Sequence, residues 1–171
     1  MRILEIEEAT LRYLALCLMW VIAIGGVDSV VAGDESSLQG EDIILKTAYG
    51  TTFDAYISGS KTADKGILLF HGDGGFDEGV RRWADRFAEQ GYRVVVADLF
   101  DGRRSNEREF IKLIPRQIDP VWVDANVDAT LSYLLDQPGR RLSAVGWGFG
   151  AEQALRVSLK HPDYISVAVV Y

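Results

Sequence analysis

The sequence has very little cysteine and histidine, and each scarcity excludes a kind of site. It contains one cysteine and two histidines among 171 residues. A lone cysteine cannot form a disulfide within the chain, and it cannot build a cysteine-rich zinc site. That residue, Cys17, lies in an apolar run near the N-terminus. We therefore expect a mature domain with no disulfide, no thiolate nucleophile and no cysteine-based metal site.

Positive charge is also scarce. Lysine and arginine total 18 against 25 aspartates and glutamates, a formal net charge of −7. The basic residues include the isolated pairs Arg81-Arg82, Arg103-Arg104 and Arg140-Arg141. Binding to nucleic acid needs clustered cations, so we expect no nucleic-acid partner. The 48% hydrophobic content instead indicates one globular domain with a substantial core.

No apolar run is long enough to cross a bilayer. The longest, residues 14–24, has eleven residues, whereas a spanning helix needs about 20. Eleven residues suit the apolar part of a secretory signal peptide, and Val30 and Ala32 supply small residues for cleavage after Ala32. We therefore expect residues 1–32 to be a signal peptide for secretion or periplasmic export, followed by a polar linker over 33–40.

The segment before the apolar run does not clearly favour that interpretation. It carries Glu5, Glu7 and Glu8 against only two arginines, so it is not distinctly basic. Two alternatives stay open: an uncleaved membrane anchor over residues 11–27, or a buried helix.

From residue 41 onward, apolar strand patterns alternate with helical ones. The pattern predicts an α/β fold with a mostly parallel sheet, helices on both faces, and a β-hairpin around Tyr49-Gly50 at its start. In the third helix it predicts one buried face of Val121, Ala125, Asp128, Leu131, Leu134 and Leu135. The predicted strands are 43–47, 52–58, 67–71, 92–98, 141–147 and 164–170, and the predicted helices are 77–90, 107–114, 121–136 and 149–160.

The stretch G-W-G-F-G, residues 146–150, lies between a predicted strand and a predicted helix. Its spacing is that of a nucleophile elbow, G-x-S-x-G or G-x-C-x-G, in which a strained central residue requires small neighbours two positions away. The central position here is Gly148, which has no side chain. A dinucleotide-binding turn is the alternative, but the third glycine of G-x-G-x-x-G is missing and Trp147 would crowd a pyrophosphate.

A second glycine-rich loop, F-H-G-D-G-G-F, follows the predicted strand 67–71. In hydrolases of this architecture such a loop supplies one backbone donor of the oxyanion hole, and the residue after the nucleophile supplies the other. The alternative is a plain turn with a structural histidine. Asp98 lies at the end of the next strand, and two interpretations of it stay open: a capping role or a place in the site. The expected oxyanion and substrate pocket comprises His71, Gly72, Asp73, Gly74, Trp147 and Phe149.

Taken in order, these stretches resemble the dienelactone hydrolase family of α/β-hydrolases. The matching segments are I-L-K-T-A-Y-G-T-T-F-D-A-Y, I-L-L-F-H-G-D-G-G, F-A-E-Q-G-Y-R-V-V-V-A-D-L-F, and D-A-T-L-S-Y-L-L-D-Q-P leading into A-V-G-W-G-F-G-A. The resemblance covers nearly all of residues 41–171. It implies hydrolysis of small-molecule esters or lactones by a Cys or Ser nucleophile with an Asp and a His, without a cofactor or metal.

The chain departs from the family pattern at three points. The nucleophile position is Gly148, Gly72 stands where many members carry a glutamate, and the segment with the triad Asp and His would lie beyond residue 171. We therefore interpret residues 41–171 as the N-terminal portion of an α/β-hydrolase domain. We expect its hydrolase activity to be impaired or lost. The alternative is a non-catalytic homologue that binds a carbonyl ligand or a protein partner, and an unpaired strand at 164–170 would favour self-association.

Overall fold

A computed structural model of the protein describes residues 37–104 and 113–171. The predicted signal peptide, residues 1–32, and the first part of the predicted linker lie outside the described residues. No helix within the described ranges is long and apolar enough to cross a membrane.

Within the described residues, six strands form one mixed sheet, which confirms the predicted fold class. Strands β3 to β6 are parallel, whereas β1 and β2 form an antiparallel hairpin whose second strand pairs with β4. The order across the sheet is β1-β2-β4-β3-β5-β6. The bounds are β1 Glu41–Lys46, β2 Thr52–Ser58, β3 Lys65–Phe70, β4 Arg93–Ala97, β5 Arg141–Gly146 and β6 Ile165–Val170.

The central strands are buried on both faces because helices cover both. Successive side chains of a strand point to opposite faces, so the continuous apolar runs of β3 and β4 feed two separate cores. Leu68 and Val95 pack on the face of the third and fourth helices. Leu69 and Val96 pack on the other face, against the first helix. The helices are α1 Glu78–Glu89, α2 Ile114–Gln117, α3 Pro120–Leu134 and α4 Phe149–Lys160.

Helix α1 begins and ends as the sequence predicts. The Asp77 carboxylate accepts the Val80 N–H at 3.0 Å, which caps the first turn. Gly91, with φ of +85°, follows the last turn, where a left-handed residue is needed. Val80 and Ala84 of this helix are buried, whereas Trp83 is 44% exposed.

The buried face of α3 is only partly the one the sequence predicted, since Leu131 and Leu134 are buried as expected. Val121 was assigned to the core but is 66% exposed. The prediction failed at Val121 because two polar residues, Asn126 and Thr130, lie on the buried face. The Thr130 hydroxyl donates to the Asn126 carbonyl at 2.7 Å, so it is not left without a partner. The buried residues of α3 are Val123, Asn126, Val127, Thr130, Leu131 and Leu134.

The predicted helix 107–114 lies mostly outside the described residues. The structure shows a single helical turn, α2, that begins at Ile114 and contains Pro115 rather than stopping before it. Proline is accommodated there because the N–H groups of a first helical turn have no partner within the helix.

Parallel strands bring three loops to one edge of the sheet. The loops after β3, β4 and β5 all leave from carboxyl ends, where ligands bind in sheets of this kind. Strand β6 ends the described sheet, and it pairs only with β5 in the described part of the chain. Its exposed side chains include Val167 and Val170.

Candidate active site

The turn between β5 and α4 has the strained geometry of a nucleophile elbow. Gly148 has φ of +52° and ψ of −117°, a conformation that a side chain makes costly. A Cβ on Gly150 would lie 2.5 Å from the carbonyl oxygens of Phe70 and His71, and one on Gly146 would collide with the Gly150 backbone. The turn can therefore form only because both flanking positions are glycine.

Backbone hydrogen bonds hold the elbow against the end of β6. The Gly148 N–H donates to the Tyr171 carbonyl at 3.1 Å, and the Tyr171 N–H donates to the Gly146 carbonyl at 3.1 Å. Gly148 is exposed at the edge of the sheet. The elbow is thus fully built, but it presents no hydroxyl or thiol.

Asp73 reaches the elbow from the loop after β3. Its Oδ1 atom accepts the Phe149 N–H at 2.8 Å. Because Gly148 offers no side chain to cap α4, the Asp73 carboxylate takes the capping role from a distant part of the chain. The Phe149 N–H is the donor that the sequence assigned to an oxyanion hole. A carboxylate occupies it.

The same carboxylate lies beside the space that a nucleophile would fill. A Cβ built on Gly148 would lie 3.1 to 3.3 Å from the carboxyl atoms of Asp73. Gly72 and Gly74, the other predicted residues of this loop, are half-buried. The Gly75 N–H donates to the Gly72 carbonyl at 3.1 Å, which closes the loop into a turn.

His71 lies in the protein interior and does not face the elbow's open side. Its Nδ1 atom lies 2.9 Å from the Gly72 carbonyl, and its Nε2 atom accepts the Leu99 N–H at 3.0 Å. This pairing assigns the neutral tautomer with the proton on Nδ1. Burial away from water lowers the pKa of His71 below its usual value, although Asp98 lies 4.0 Å away. Its hydrogen bonds thus link the loop after β3 to the loop after β4.

Asp98 caps the loop that follows β4. Its two carboxyl oxygens accept the N–H groups of Phe100, at 2.9 Å, and Gly102, at 2.7 Å. Of the two roles that the sequence left open, the structure shows the capping one. His71 and Asp98 thus stabilise the loops that flank the elbow.

Aromatic rings surround the elbow, and the sequence identified only part of this set. Trp147 stacks on Tyr171 with ring centroids 6.2 Å apart and planes 16° apart, and it lies 5.7 Å from Trp83. On the other side Phe149 packs against Phe100 at 4.8 Å. Trp83 was missed because it was assigned only to the helix 77–90, and Tyr171 was missed because it follows the predicted strand 164–170. Their place beside Trp147 depends on how β6 and α1 pack.

The described residues contain no group of three His, Cys, Asp or Glu side chains that could hold a metal ion. Among the described residues, this edge presents backbone amides, the Asp73 carboxylate and aromatic surfaces.

Comparison with known protein families gives a match over most of this chain. The family model described as "Dienelactone hydrolase family" matches residues 53–171. Comparison with curated proteins gives no match.

Solved α/β-hydrolases share the fold. A structure described as m3DLH is 25% identical, with a TM-score of 0.61, over 78% of this chain and 58% of its own. A dienelactone hydrolase-like promiscuous phosphotriesterase from metagenomic libraries is 17% identical, with a TM-score of 0.59, over 78% of this chain and 59% of its own. A zinc-bound cold-adapted esterase from an Arctic intertidal metagenomic library is 20% identical, with a TM-score of 0.58, over 80% and 60%. The chain spans less than two thirds of each of these structures.

Proposed function

Because the chain belongs to the dienelactone hydrolase family, we propose that it carries a site for small-molecule esters or lactones whose hydrolytic activity is impaired or lost. The observation that carries the proposal is the Asp73–Phe149 hydrogen bond at 2.8 Å, beside an elbow whose central residue is Gly148.

Two separate requirements of acyl transfer are unmet at this elbow. The first is an attacking atom, which Gly148 cannot supply. In a serine protease, loss of the nucleophile lowers kcat by roughly 10⁶. The second is a free donor for the developing oxyanion, worth roughly 10²–10³ in kcat, and the Asp73 carboxylate occupies the Phe149 N–H. A negative charge at that point would also repel the oxyanion.

A non-catalytic role is the second candidate. It is favoured by the capped state of Phe149, because a hydrogen bond that satisfies α4 without a substrate makes the elbow stable as a fixed structural element. In this role the site binds a ligand or a partner without converting it.

Ester turnover by the full chain tests the proposal. We expect the wild type and a Gly148→Ala control to hydrolyse p-nitrophenyl acetate at the same background rate. Gly148→Ser restores a hydroxyl but leaves Asp73 on the donor, and the double variant Gly148→Ser with Asp73→Ala removes both obstacles. We expect turnover to be highest in the double variant.

A wild-type kcat/KM of about 10⁴ M⁻¹s⁻¹ or more, the ordinary range for an enzyme, would overturn the proposal. The proposal would also be overturned if the wild type hydrolysed p-nitrophenyl acetate clearly faster than Gly148→Ala. That difference would show that residue 148, or the space above it, takes part in catalysis.

We also propose that residues 1–32 direct export to the periplasm or the medium, with a membrane anchor over 11–27 as the alternative. Support comes from the eleven-residue apolar run and the small residues that end at Ala32. N-terminal sequencing of protein recovered from a secreting host should start at Gly33. Recovery of the intact N-terminus in the membrane fraction would favour the anchor.

A further inference from the structure

Asp73 differs from Asp98 in having a carboxyl oxygen that accepts no hydrogen bond within the described residues. Asp98 uses both oxygens on backbone N–H groups, as described above. Asp73 uses Oδ1 on the Phe149 N–H, and no lysine, arginine or histidine among residues 37–104 and 113–171 lies within ion-pair distance of it. It is half-buried, so its charge is only partly hydrated.

The nearby arginines are engaged elsewhere. Arg81 pairs with Asp42 at 3.0 Å and lies over the Phe76 ring at 4.0 Å. Arg104 lies over the same ring at 5.7 Å. Within residues 37–104 and 113–171, the Asp73 carboxylate therefore faces the elbow without an ion-pair partner.

The Asp73 carboxylate lies directly against Gly148 on the exposed side of the elbow. Apart from the chain neighbours of Gly148, the three heavy atoms nearest to a Cβ built on it are the carboxyl atoms of Asp73, at 3.1 to 3.3 Å. A group that approaches Gly148 from solvent therefore meets a carboxylate instead of an N–H donor. The polarity is thus opposite to that of an oxyanion hole.

Aromatic rings next to Gly148 are a second feature of the elbow that suits a cation. Trp147 precedes Gly148, stacks on Tyr171 and contacts Trp83. The same aromatic set already holds one cation, since the Arg86 guanidinium lies 5.1 Å from the Trp83 ring centre. Faces of tryptophan and tyrosine attract cations, and a carboxylate close by strengthens such a site.

We propose that the elbow binds small organic molecules through a protonated amine, which donates to the free Asp73 oxygen while the apolar part of the molecule packs on Trp147 and its neighbours. The class is that of organic ammonium compounds, with or without an ester group. Carboxylates are excluded because they would face the Asp73 carboxylate. The inference rests on the proposed function in one respect: that residue 148 does not attack the bound molecule.

Calorimetric titration of the full chain with three probes of the same shape tests this. The probes are benzylamine, which is protonated at pH 7, benzoate, and uncharged benzyl alcohol. Asp73→Asn is the informative variant, because its amide oxygen can still accept the Phe149 N–H while the charge is gone. Asp163→Asn is the control, since Asp163 is an exposed carboxylate beyond the far end of α4.

We expect the wild type to bind benzylamine more tightly than benzyl alcohol and to bind benzoate most weakly. Asp73→Asn should weaken benzylamine binding by about tenfold or more, or about 1.4 kcal/mol, with an unchanged melting temperature, whereas Asp163→Asn should leave it unchanged.

Benzoate bound as tightly as benzylamine would overturn the inference. The inference would also be overturned if the wild type and Asp73→Asn bound benzylamine with equal affinity. The same holds if the wild type showed no benzylamine binding up to about 10 mM, a limit set by the weakest affinities of interest. A wild type that binds benzylamine but turns over p-nitrophenyl acetate efficiently would instead contradict only the proposed function.

Discussion

The Nε2 atom of His71 accepts the backbone N–H of Leu99 at 3.0 Å, inside the protein. This bond joins the loop after β3, which carries Asp73, to the loop after β4. Because the imidazole accepts there, it must be unprotonated on Nε2 while the fold is intact. The position of the loops beside the elbow therefore depends on a neutral histidine.

Stability should fall as the pH drops below about 6.5, the ordinary histidine pKa. The folded pKa of His71 is lowered by burial, so the unfolded chain binds the proton more strongly and protonation favours unfolding. The contribution of neutral His71 to the free energy of unfolding is complete above about pH 6.5. It is lost as the pH falls toward the folded pKa, at up to about 1.4 kcal/mol per pH unit. Urea denaturation of wild type and His71→Gln between pH 5 and 7.5 measures it.

Glutamine can still accept the Leu99 N–H but does not titrate, so His71→Gln should show a flatter pH dependence than the wild type. His161→Gln is the control, because His161 is only half-buried and pairs with Asp128 at 3.1 Å on the surface. A wild type whose stability did not change between pH 5 and 6.5 would contradict the assigned neutral state.

Gly150→Ala should destabilise the protein strongly. Its Cβ would lie 2.5 Å from two carbonyl oxygens, of Phe70 and His71, and backbone atoms cannot move aside as a side-chain tip can. We expect a loss of about 2–3 kcal/mol in the free energy of unfolding, at the upper end for overpacking. Gly72→Ala is the matched control, since its Cβ would make an ordinary contact of 3.5 Å with Trp147. Equal melting temperatures for the two variants would refute the close approach of α4 to β3.

Arg140 should matter far more than its neighbour in sequence. Its guanidinium donates to the carbonyls of Ala63 at 3.0 Å, Leu134 at 2.6 Å and Lys61 at 2.6 Å, and so fastens the end of α3 to the loop before β3. Arg140→Met leaves these carbonyls without their donor and should lower the unfolding free energy by about 3 kcal/mol.

The exposed Arg141 provides the comparison for this substitution. Arg141→Met should change the unfolding free energy by less than about 1 kcal/mol, since its only described ion pair, with Asp64 at 3.6 Å, is on the surface. Chemical denaturation of both variants checks the difference. If the two substitutions cost the same, the carbonyl contacts of Arg140 do not stabilise the fold.

Tyr56 should ionise only at high pH. Its hydroxyl donates to Asp85 at 2.8 Å and accepts the Gly40 N–H at 2.6 Å, and burial, together with the Asp85 carboxylate, raises its pKa to about 12. Because the folded pKa exceeds the unfolded one, stability should fall as the pH rises from about 10 toward 12. Ultraviolet absorbance of the phenolate follows the titration.

Tyr56→Phe should cost about 1–3 kcal/mol, because it leaves the Gly40 N–H and one bond to Asp85 unsatisfied. Tyr49→Phe, at an exposed position in the hairpin turn, should be close to neutral. If Tyr56 titrated at the ordinary tyrosine pKa of about 10, its hydrogen bond to Asp85 would not form as described.

The sequence predicted the sheet and the elbow because both leave local signals. The apolar runs of β3 and β4 are buried on both faces, and glycines at 146 and 150 are the only residues that fit where they lie. The face of α3 was predicted correctly only at Leu131 and Leu134, because apolar periodicity cannot indicate that Asn126 and Thr130 are buried.

What the sequence by itself determined is the absence of an attacking atom at the elbow, since residue 148 is glycine in any conformation. Only the tertiary structure decided what takes its place. Asp73 and Phe149 are 76 positions apart, and nothing local indicates that the carboxylate of one caps the N–H of the other. That contact exists because parallel strands β3 and β5 are neighbours and end at the same edge of the sheet.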